Sequence, residues 1–186
     1  SVKELIAQAK AKPGAIGFAH TGSGTGTHLA GELFMRAAKV KLLNVPYKSI
    51  GQSLAAVASG EAPLTFTSIF SAYGQVKARR ARALAVTSKA RSPAAPEVPT
   101  MAEAGLPGYE AGNWYGILAP AGTPRAVVSQ VNTQVNEILQ RADVKALLVK
   151  LGYEPAGGSP AEFARFIKSE IHEYAETIRA AGLKAN

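Results

Sequence analysis

The stretch from Ala15 to Glu32 constrains this chain more than any other. Ala15 to Ala19 is a short apolar run that ends at His20 and reads as a strand. Thr21-Gly-Ser-Gly-Thr-Gly-Thr27 follows as a loop, and His28 to Val40 then carries Leu29, Leu33, Phe34 and Ala37 at helical spacing. A helix that starts in this way exposes unpaired N–H groups and the positive end of its dipole. Glycines let the backbone approach a ligand closely. Ser23, Thr25 and Thr27 add hydroxyl donors, and no acid in the loop repels an anion. One serine or threonine is enough to cap a helix. The run of Gly, Ser and Thr exceeds that need, which points to an anion site at Thr21, Ser23, Gly24, Thr25, Gly26, Thr27 and His28.

The same unit recurs downstream. Lys41 to Tyr47 reads as a strand, Ser49 to Ser59 as a helix stopped at Gly60, Leu64 to Thr67 as a strand, Ile69 to Ala78 as a helix, and Arg82 to Ser88 as a further strand. Upstream, Ser1 and Glu4 form a capping box ahead of Leu5, Ile6 and Ala9, and Pro13-Gly14 ends that helix. The alternation predicts an α/β domain with a largely parallel sheet. In such a sheet the C-terminal strand ends share one edge, so Tyr47, Lys48 and Ser49 after the second strand, and Thr67 and Ser68 after the third, converge on the first loop.

Composition changes at Ser92. Three prolines between Ser92 and Pro99 remove donors and fix the backbone, which reads as a crossover. Thr100 to Ala104 is a helical turn ended by Gly105, and Trp114 to Ala119 reads as a last strand. The remainder is helical. Thr123 is expected as an N-cap with Pro124 at the first helical position, and Val127, Val128, Val131, Val135, Ile138 and Leu139 form the apolar stripe. Val144 to Leu151 is a shorter helix. Ser159 to Glu162 is a second capping box, followed by Phe163, Phe166, Ile167, Ile171, Tyr174 and Ile178 as a buried face.

Several chemistries are narrowed by residue type. Cysteine is absent, which excludes disulfides, thiolate zinc sites and cysteine nucleophiles. Asp143 is the only aspartate, which removes paired-aspartate metal sites. No lysine lies between Lys12 and Arg36, so the loop is not a Walker phosphate cradle. Gly22 and Gly24 fit the start of a dinucleotide fingerprint, but Thr27 stands where its third glycine belongs. Lys48 in place of a ribose-binding acid keeps an NADP-dependent oxidoreductase open as an alternative. A metal reading needs His20, His28 and Glu32 to converge. The net charge of +8 suits nucleic acid, anionic membrane or small anions alike. Only Lys77 to Arg82 is a basic cluster, and it lacks the interleaved aromatics of a single-strand binder. No apolar run approaches the roughly 18 residues of a membrane-spanning helix.

At the level of motifs the chain resembles a known family. Thr21-Gly-Ser-Gly-Thr-Gly-Thr-His-Leu-Ala-Gly-Glu-Leu-Phe34 is similar to a loop and helix of the Bug-type periplasmic receptors of tripartite tricarboxylate transporters. So are Val45-Pro-Tyr-Lys48, Arg82-Ala-Leu-Ala-Val86, Val98-Pro-Thr-Met-Ala-Glu-Ala-Gly-Leu-Pro-Gly108, Trp114-Tyr-Gly-Ile-Leu-Ala-Pro-Ala-Gly-Thr-Pro124 and Gly157-Gly-Ser-Pro-Ala-Glu-Phe163, in order along nearly the whole chain. The resemblance implies a periplasmic-binding-protein-like three-layer α/β domain. It implies a clamshell that closes on a small organic acid anion and presents it to membrane permease subunits, without catalysis, cofactor or metal. On this reading residues 1–115 form the ligand-binding second lobe. Residues 116–186 are the crossover strand and C-terminal helices that complete the first lobe, whose upstream half is expected to be missing.

Two departures shape expectation. Ser49-Ile50 stands where the family commonly has Gly-Gly, and Thr67 where it often has Asp. An aspartate there would receive a ligand amino group, so its absence argues against an amino-acid ligand. The helices after Thr123 are expected to keep apolar faces, and a homodimer or exchanged packing through them is the predicted result.

Overall fold

The computed structural model describes residues 1–180 and 182; the last residues of the second expected unit lie outside them. In chain order the elements are α1 (Val2–Ala11), β1 (Gly17–His20), α2 (Gly26–Ala38), β2 (Leu43–Pro46), α3 (Ile50–Ser59), β3 (Leu64–Thr65), α4 (Ile69–Lys77), α5 (Arg125–Gln140), α6 (Ala142–Lys150) and α7 (Pro160–Ala180). The sheet has the order β2-β1-β3 and both pairings are parallel.

The central strand β1 is buried along its whole length because both faces are covered. Successive residues point to opposite sides. Phe18 enters a core formed with Val2 and Ala9 of α1, Ala30, Phe34 and Ala38 of α2, and Met101, Leu106, Tyr109 and Ala111. Ala19 enters a smaller core with Ala56 of α3 and Ala62, flanked by Tyr47 and Val57. Helices therefore lie on both faces of a parallel sheet. The Tyr109 hydroxyl donates to the Ala30 carbonyl at 3.0 Å, which ties the segment after the crossover to α2.

Caps place the helix ends. Ser1 and Glu4 make the reciprocal capping box at α1. Helix α2 stops at Lys39, which adopts a left-handed φ of 53°, and α3 stops at Gly60. The Ser159 hydroxyl accepts from Glu162 N while the Glu162 carboxylate accepts from Ser159 N, which starts α7. At α5 the expected cap differs. Pro124 is the N-cap and Arg125 the first helical residue, while the Thr123 hydroxyl donates to the Pro120 carbonyl instead.

Two expected strands do not form ladders. Arg82 to Ser88 contributes one parallel bridge, Val86 to Thr100. Val86 N–H donates to Pro99 O and Met101 N–H to Val86 O, but Pro99 has no N–H with which to extend the pairing. Trp114 to Ala119 pairs with no strand among the described residues, and Tyr115, Ile117 and Leu118 are exposed.

The C-terminal helices attach to the α/β unit through α7 and through the turn after α6, where Gly152 lies against Ile69 and Phe70 of α4. Thr177 is buried, Arg36 of α2 pairs with Glu176 at 3.2 Å, and the Tyr174 hydroxyl donates to Gly112 O. Trp114 packs edge-on against Phe163 and Phe166, and its indole N–H donates to Glu170 at 3.0 Å. Of the expected α7 face, Phe163, Ile167, Tyr174 and Ile178 are half-buried, whereas Phe166 and Ile171 are exposed. Helices α5 and α6 contact each other but contain no buried residue.

Candidate functional site

All three strand-to-helix loops leave the same sheet edge, because the strands are parallel. The chain goes from β1 outward to β2, then crosses back to place β3 on the other side of β1. This is a topological switch point, and the crevice at the strand C-termini there is where open α/β sheets bind ligands. His20 stands at the end of β1, and Thr67 lies just beyond β3. These two residues carry the unpartnered buried side-chain atoms among the described residues, His20 Nε2 and Thr67 Oγ1. A buried polar atom without a partner is costly in a finished interior, so the pair marks the crevice as a place where a partner is wanted.

The loop after β1 is braced from within. The hydroxyls of Thr21, Thr25 and Thr27 form a triangle with sides of 3.2, 2.9 and 3.1 Å. Thr25 Oγ1 also lies 2.7 Å from Gly22 O, to which it donates, and Thr27 Oγ1 accepts from Thr21 N. Thr25 is the N-cap of α2 by backbone position but makes no side-chain cap. The threonines thus hold the loop's shape. The N–H groups of Ser23, Gly26, Thr27 and His28 have no partner among the described residues, and the Ser23 side chain is exposed. They are the donors available to an anion, reinforced by the helix dipole.

Two buried imidazoles underlie the loop. Gly22 N–H donates to His20 Nδ1 at 3.2 Å, and Gly24 N–H to His28 Nδ1 at 3.1 Å. The rings stack with centroids 4.4 Å apart. His28 Nε2 faces Glu32 Oε1 at 3.3 Å, and the same oxygen accepts from Asn44 Nδ2 at 3.0 Å. Burial, and then the neighbouring His28, push the His20 pKa below the usual histidine range. His20, His28 and Glu32 therefore do meet, but as a stack whose Nδ1 atoms already accept from the backbone. No group of three or more His, Cys, Asp or Glu among the described residues is arranged to hold a metal ion.

The other expected residues divide by what their groups touch. The Ser49 hydroxyl accepts from Gln52 N as the N-cap of α3, and the Ser68 hydroxyl accepts from Ser71 N as the N-cap of α4. The Lys48 backbone N–H donates to the Gln52 side chain, and the Lys48 side chain is exposed without an ion pair among the described residues. The Tyr47 phenol donates to Glu61 at 2.9 Å, and that carboxylate holds the phenol pKa above its usual value. Thr67 lies at the crevice, as noted above. Asn113 was not foreseen. Its carboxamide sits against Gly26 so closely that a Cβ at Gly26 would overlap it, which places an amide side chain at the N-terminus of α2. No local pattern marks Asn113, because it reaches the loop only through the tertiary course of the chain. Glu32 was legible as the i+4 partner of His28.

Residues 1–183 match the model of the tripartite tricarboxylate transporter family receptor. The chain belongs to this receptor family. The UPF0065 protein in the tcbD-tcbE intergenic region of Pseudomonas sp. (strain P51) is 40% identical over 186 residues, covering 100% of this chain and 55% of that relative. The structure of R. palustris Rpa4515 with adipate superposes with a TM-score of 0.85 at 35% identity, covering 98% of this chain and 61% of that one. The periplasmic binding protein BugD superposes with a TM-score of 0.79 at 29% identity, covering 100% of this chain and 62% of that one. The chain thus spans little more than half the length of these relatives. Membership of the receptor family gives the NADP alternative no support, and the loop's geometry differs from what that alternative needs. Its glycines turn N–H groups inward to two imidazoles, whereas a dinucleotide fingerprint uses them to bring the backbone onto a pyrophosphate.

Proposed function

We propose that this chain is the ligand-binding part of an extracytoplasmic, periplasmic receptor. It takes a small di- or tricarboxylate and delivers it to the permease subunits of a tripartite tricarboxylate-type transporter, and it catalyses no reaction. Residues 1–115 act as one lobe, and residues 116–186 contribute to the other. The observation that carries this reading is the chemistry of the crevice: unpaired N–H groups of Ser23, Gly26, Thr27 and His28, with two unpartnered buried polar atoms beside them and no carboxylate in the three loops. The nearby acids are engaged, Glu32 by Asn44 and His28 and Glu61 by Tyr47. Family membership and the adipate held by Rpa4515 support the ligand class, and BugD supports the compartment.

The magnitudes suffice without a metal. Micromolar binding needs about 8 kcal/mol. A helix N-terminus contributes up to about 2 kcal/mol in a partly buried setting, and each hydrogen bond to a charged group about 1.5–3 kcal/mol. A few such contacts exceed the requirement after ordering costs. The first loop supplies most of them; Tyr47, Lys48, Ser49, Thr67 and Ser68 complete this jaw.

A thermal-shift panel on a full-length receptor carrying this segment tests the reading. Adipate- and citrate-like acids are expected to stabilise it, by about 2.7 kcal/mol at a hundredfold excess over Kd. Aspartate and glutamate stabilise it less, since Thr67 offers no charge for an amino group. NADPH and duplex DNA leave the midpoint unchanged. A shift with either of these and none with the acids overturns the proposal.

A further inference from the structure

The three loop threonines explain the loop's outline, but they leave open what selects the aim of its amides. Gly22 and Gly24 have left-handed φ values of 118° and 76°, a region that glycine enters at little cost. In that conformation each N–H turns into the protein and meets an imidazole Nδ1. The intervening Ser23 N–H and the first three amides of α2 are left for a ligand. The inward bonds exist only if both Nδ1 atoms carry a lone pair, which assigns the Nε2–H tautomer to both rings. For His28 that assignment has a second support, because its Nε2–H points at Glu32, itself held by Asn44. A chain of contacts thus runs from β2 through α2 to the loop: Asn44, Glu32, His28, Gly24.

We propose that His20 and His28 are positioning residues for the carboxylate cradle, neutral acceptors that pull alternate loop amides inward and so leave the others free for the anion. The inference rests on the receptor reading above. It has a consequence opposite to simple electrostatics. Adding a proton to either Nδ1 puts a donor against a donor and expels the glycine amide. Acid therefore weakens anion binding, although it makes the site more positive.

The groups around the pair are few. His28 and Glu32 of α2 are the ionisable neighbours that act on His20. β1 presents Phe18 to both rings, with Phe66 beyond it. β2 presents Asn44 to Glu32, while the Tyr47 phenol is turned to Glu61. From α3, Ala56 packs against Ala19 and carries no charge. Burial of the His20 ring, 3% exposed, and then the neighbouring His28 hold its pKa below the ordinary histidine range. Its bond from the Gly22 amide is therefore lost as pH falls below that range rather than at it.

The test has two arms. In the first, the 186-residue chain is labelled with ¹⁵N and its imidazole and glycine amide signals are followed from about pH 8 to about pH 5. The expected result is unprotonated Nδ1 on both rings at the upper end, with the Gly22 amide shifting as the His20 ring titrates. An Nδ1–H tautomer on either ring, or a Gly22 amide indifferent to that titration, overturns the proposal whether or not a ligand binds.

In the second arm, adipate affinity of a full-length receptor is measured calorimetrically over the same range for wild type and for His20→Asn. Asparagine Oδ1 takes the place of Nδ1 as acceptor from Gly22 and does not titrate there. Wild type is expected to lose roughly tenfold more affinity than His20→Asn on acidification, the scale of one lost hydrogen bond that strands a buried donor. The comparison cancels protonation of adipate itself. His28→Ala loses affinity at every pH. Parallel profiles for wild type and His20→Asn, or affinity that rises in acid once adipate protonation is subtracted, overturn the proposal. Absence of adipate binding at the upper pH counts against the receptor reading instead, and the first arm still decides the role of the imidazoles.

Discussion

Two glycines of α2 show how differently one residue type serves the site and the core. Gly31 faces Phe18, whose ring would overlap a Cβ placed there, and Phe18 has no exposed surface through which to retreat. Gly26 faces the far end of the Asn113 side chain, and Asn113 is exposed. Replacing glycine by alanine inside a helix gains about 1 kcal/mol of propensity. Forcing extra volume into a closed core costs about 1–3 kcal/mol. At Gly31 the second effect wins, so Gly31→Ala is expected to lower the thermal midpoint. At Gly26 the balance is near zero, so Gly26→Ala keeps the midpoint but moves Asn113 off the loop and weakens carboxylate binding severalfold. Equal midpoints for Gly31→Ala and wild type would show that Phe18 has space to shift. Neither glycine is distinguishable from the other by local sequence; each contact comes from elsewhere in the chain.

At the scale of elements, hydrogen bonds that close on their own neighbours govern what forms. Glu103 accepts from Thr100 N at 2.8 Å and from Arg91 Nε at 2.8 Å, while its own N–H donates to Thr100 Oγ1 at 3.1 Å. This box holds the turn after the Val86–Thr100 bridge. The Thr100 backbone bond, then Arg91, depresses the Glu103 pKa. A carboxylate whose folded pKa lies below its unfolded value contributes stability above the ordinary carboxylate range and loses it as pH falls through the folded value. Glu103→Gln is therefore expected to be less stable at neutral pH and to show a shallower acid limb in a plot of thermal midpoint against pH. Profiles that run parallel into acid would count against this account.

The same local logic explains which elements were legible in the sequence. The α1 box, the α3 stop at Gly60 and the α7 box are each written within a few residues. Ser49 and Ser68 are legible as the residues that open α3 and α4, which their hydroxyls cap. Strands were harder to read, because a strand is made by its neighbour. The Arg82 to Ser88 run has the right residues but faces a proline, and the Trp114 to Ala119 run has no partner strand among the described residues. The order β2-β1-β3, which creates the crevice, rests on the crossover from β2 to β3 and is written in no single segment.

At the scale of the whole molecule, the two parts of the chain differ in how they bury apolar surface. The α/β unit covers its sheet on both faces. The part from residue 115 onward does not: Tyr115, Ile117, Leu118, Val127, Val131, Ile138 and Leu147 are all exposed. A polar clasp holds α5 to the segment before α7, with Asn132 and Asn136 donating to Gly158 O and Gly158 N–H donating back to Asn136. The clasp fixes the helices without hiding their apolar stripe. An exposed apolar surface of this extent favours contact with another copy, through apposed faces or exchanged C-terminal helices. In sedimentation velocity the 186-residue chain is thus expected as a dimer or larger species at tens of micromolar. The double variant Ile117→Ser, Leu118→Ser alters exposed positions outside the folded core and is expected to shift the distribution toward monomer without lowering the thermal midpoint of the α/β unit. A wild-type chain that sediments as a clean monomer would mean that α5, α6 and the 114–119 segment cover one another in solution more fully than their exposed side chains indicate.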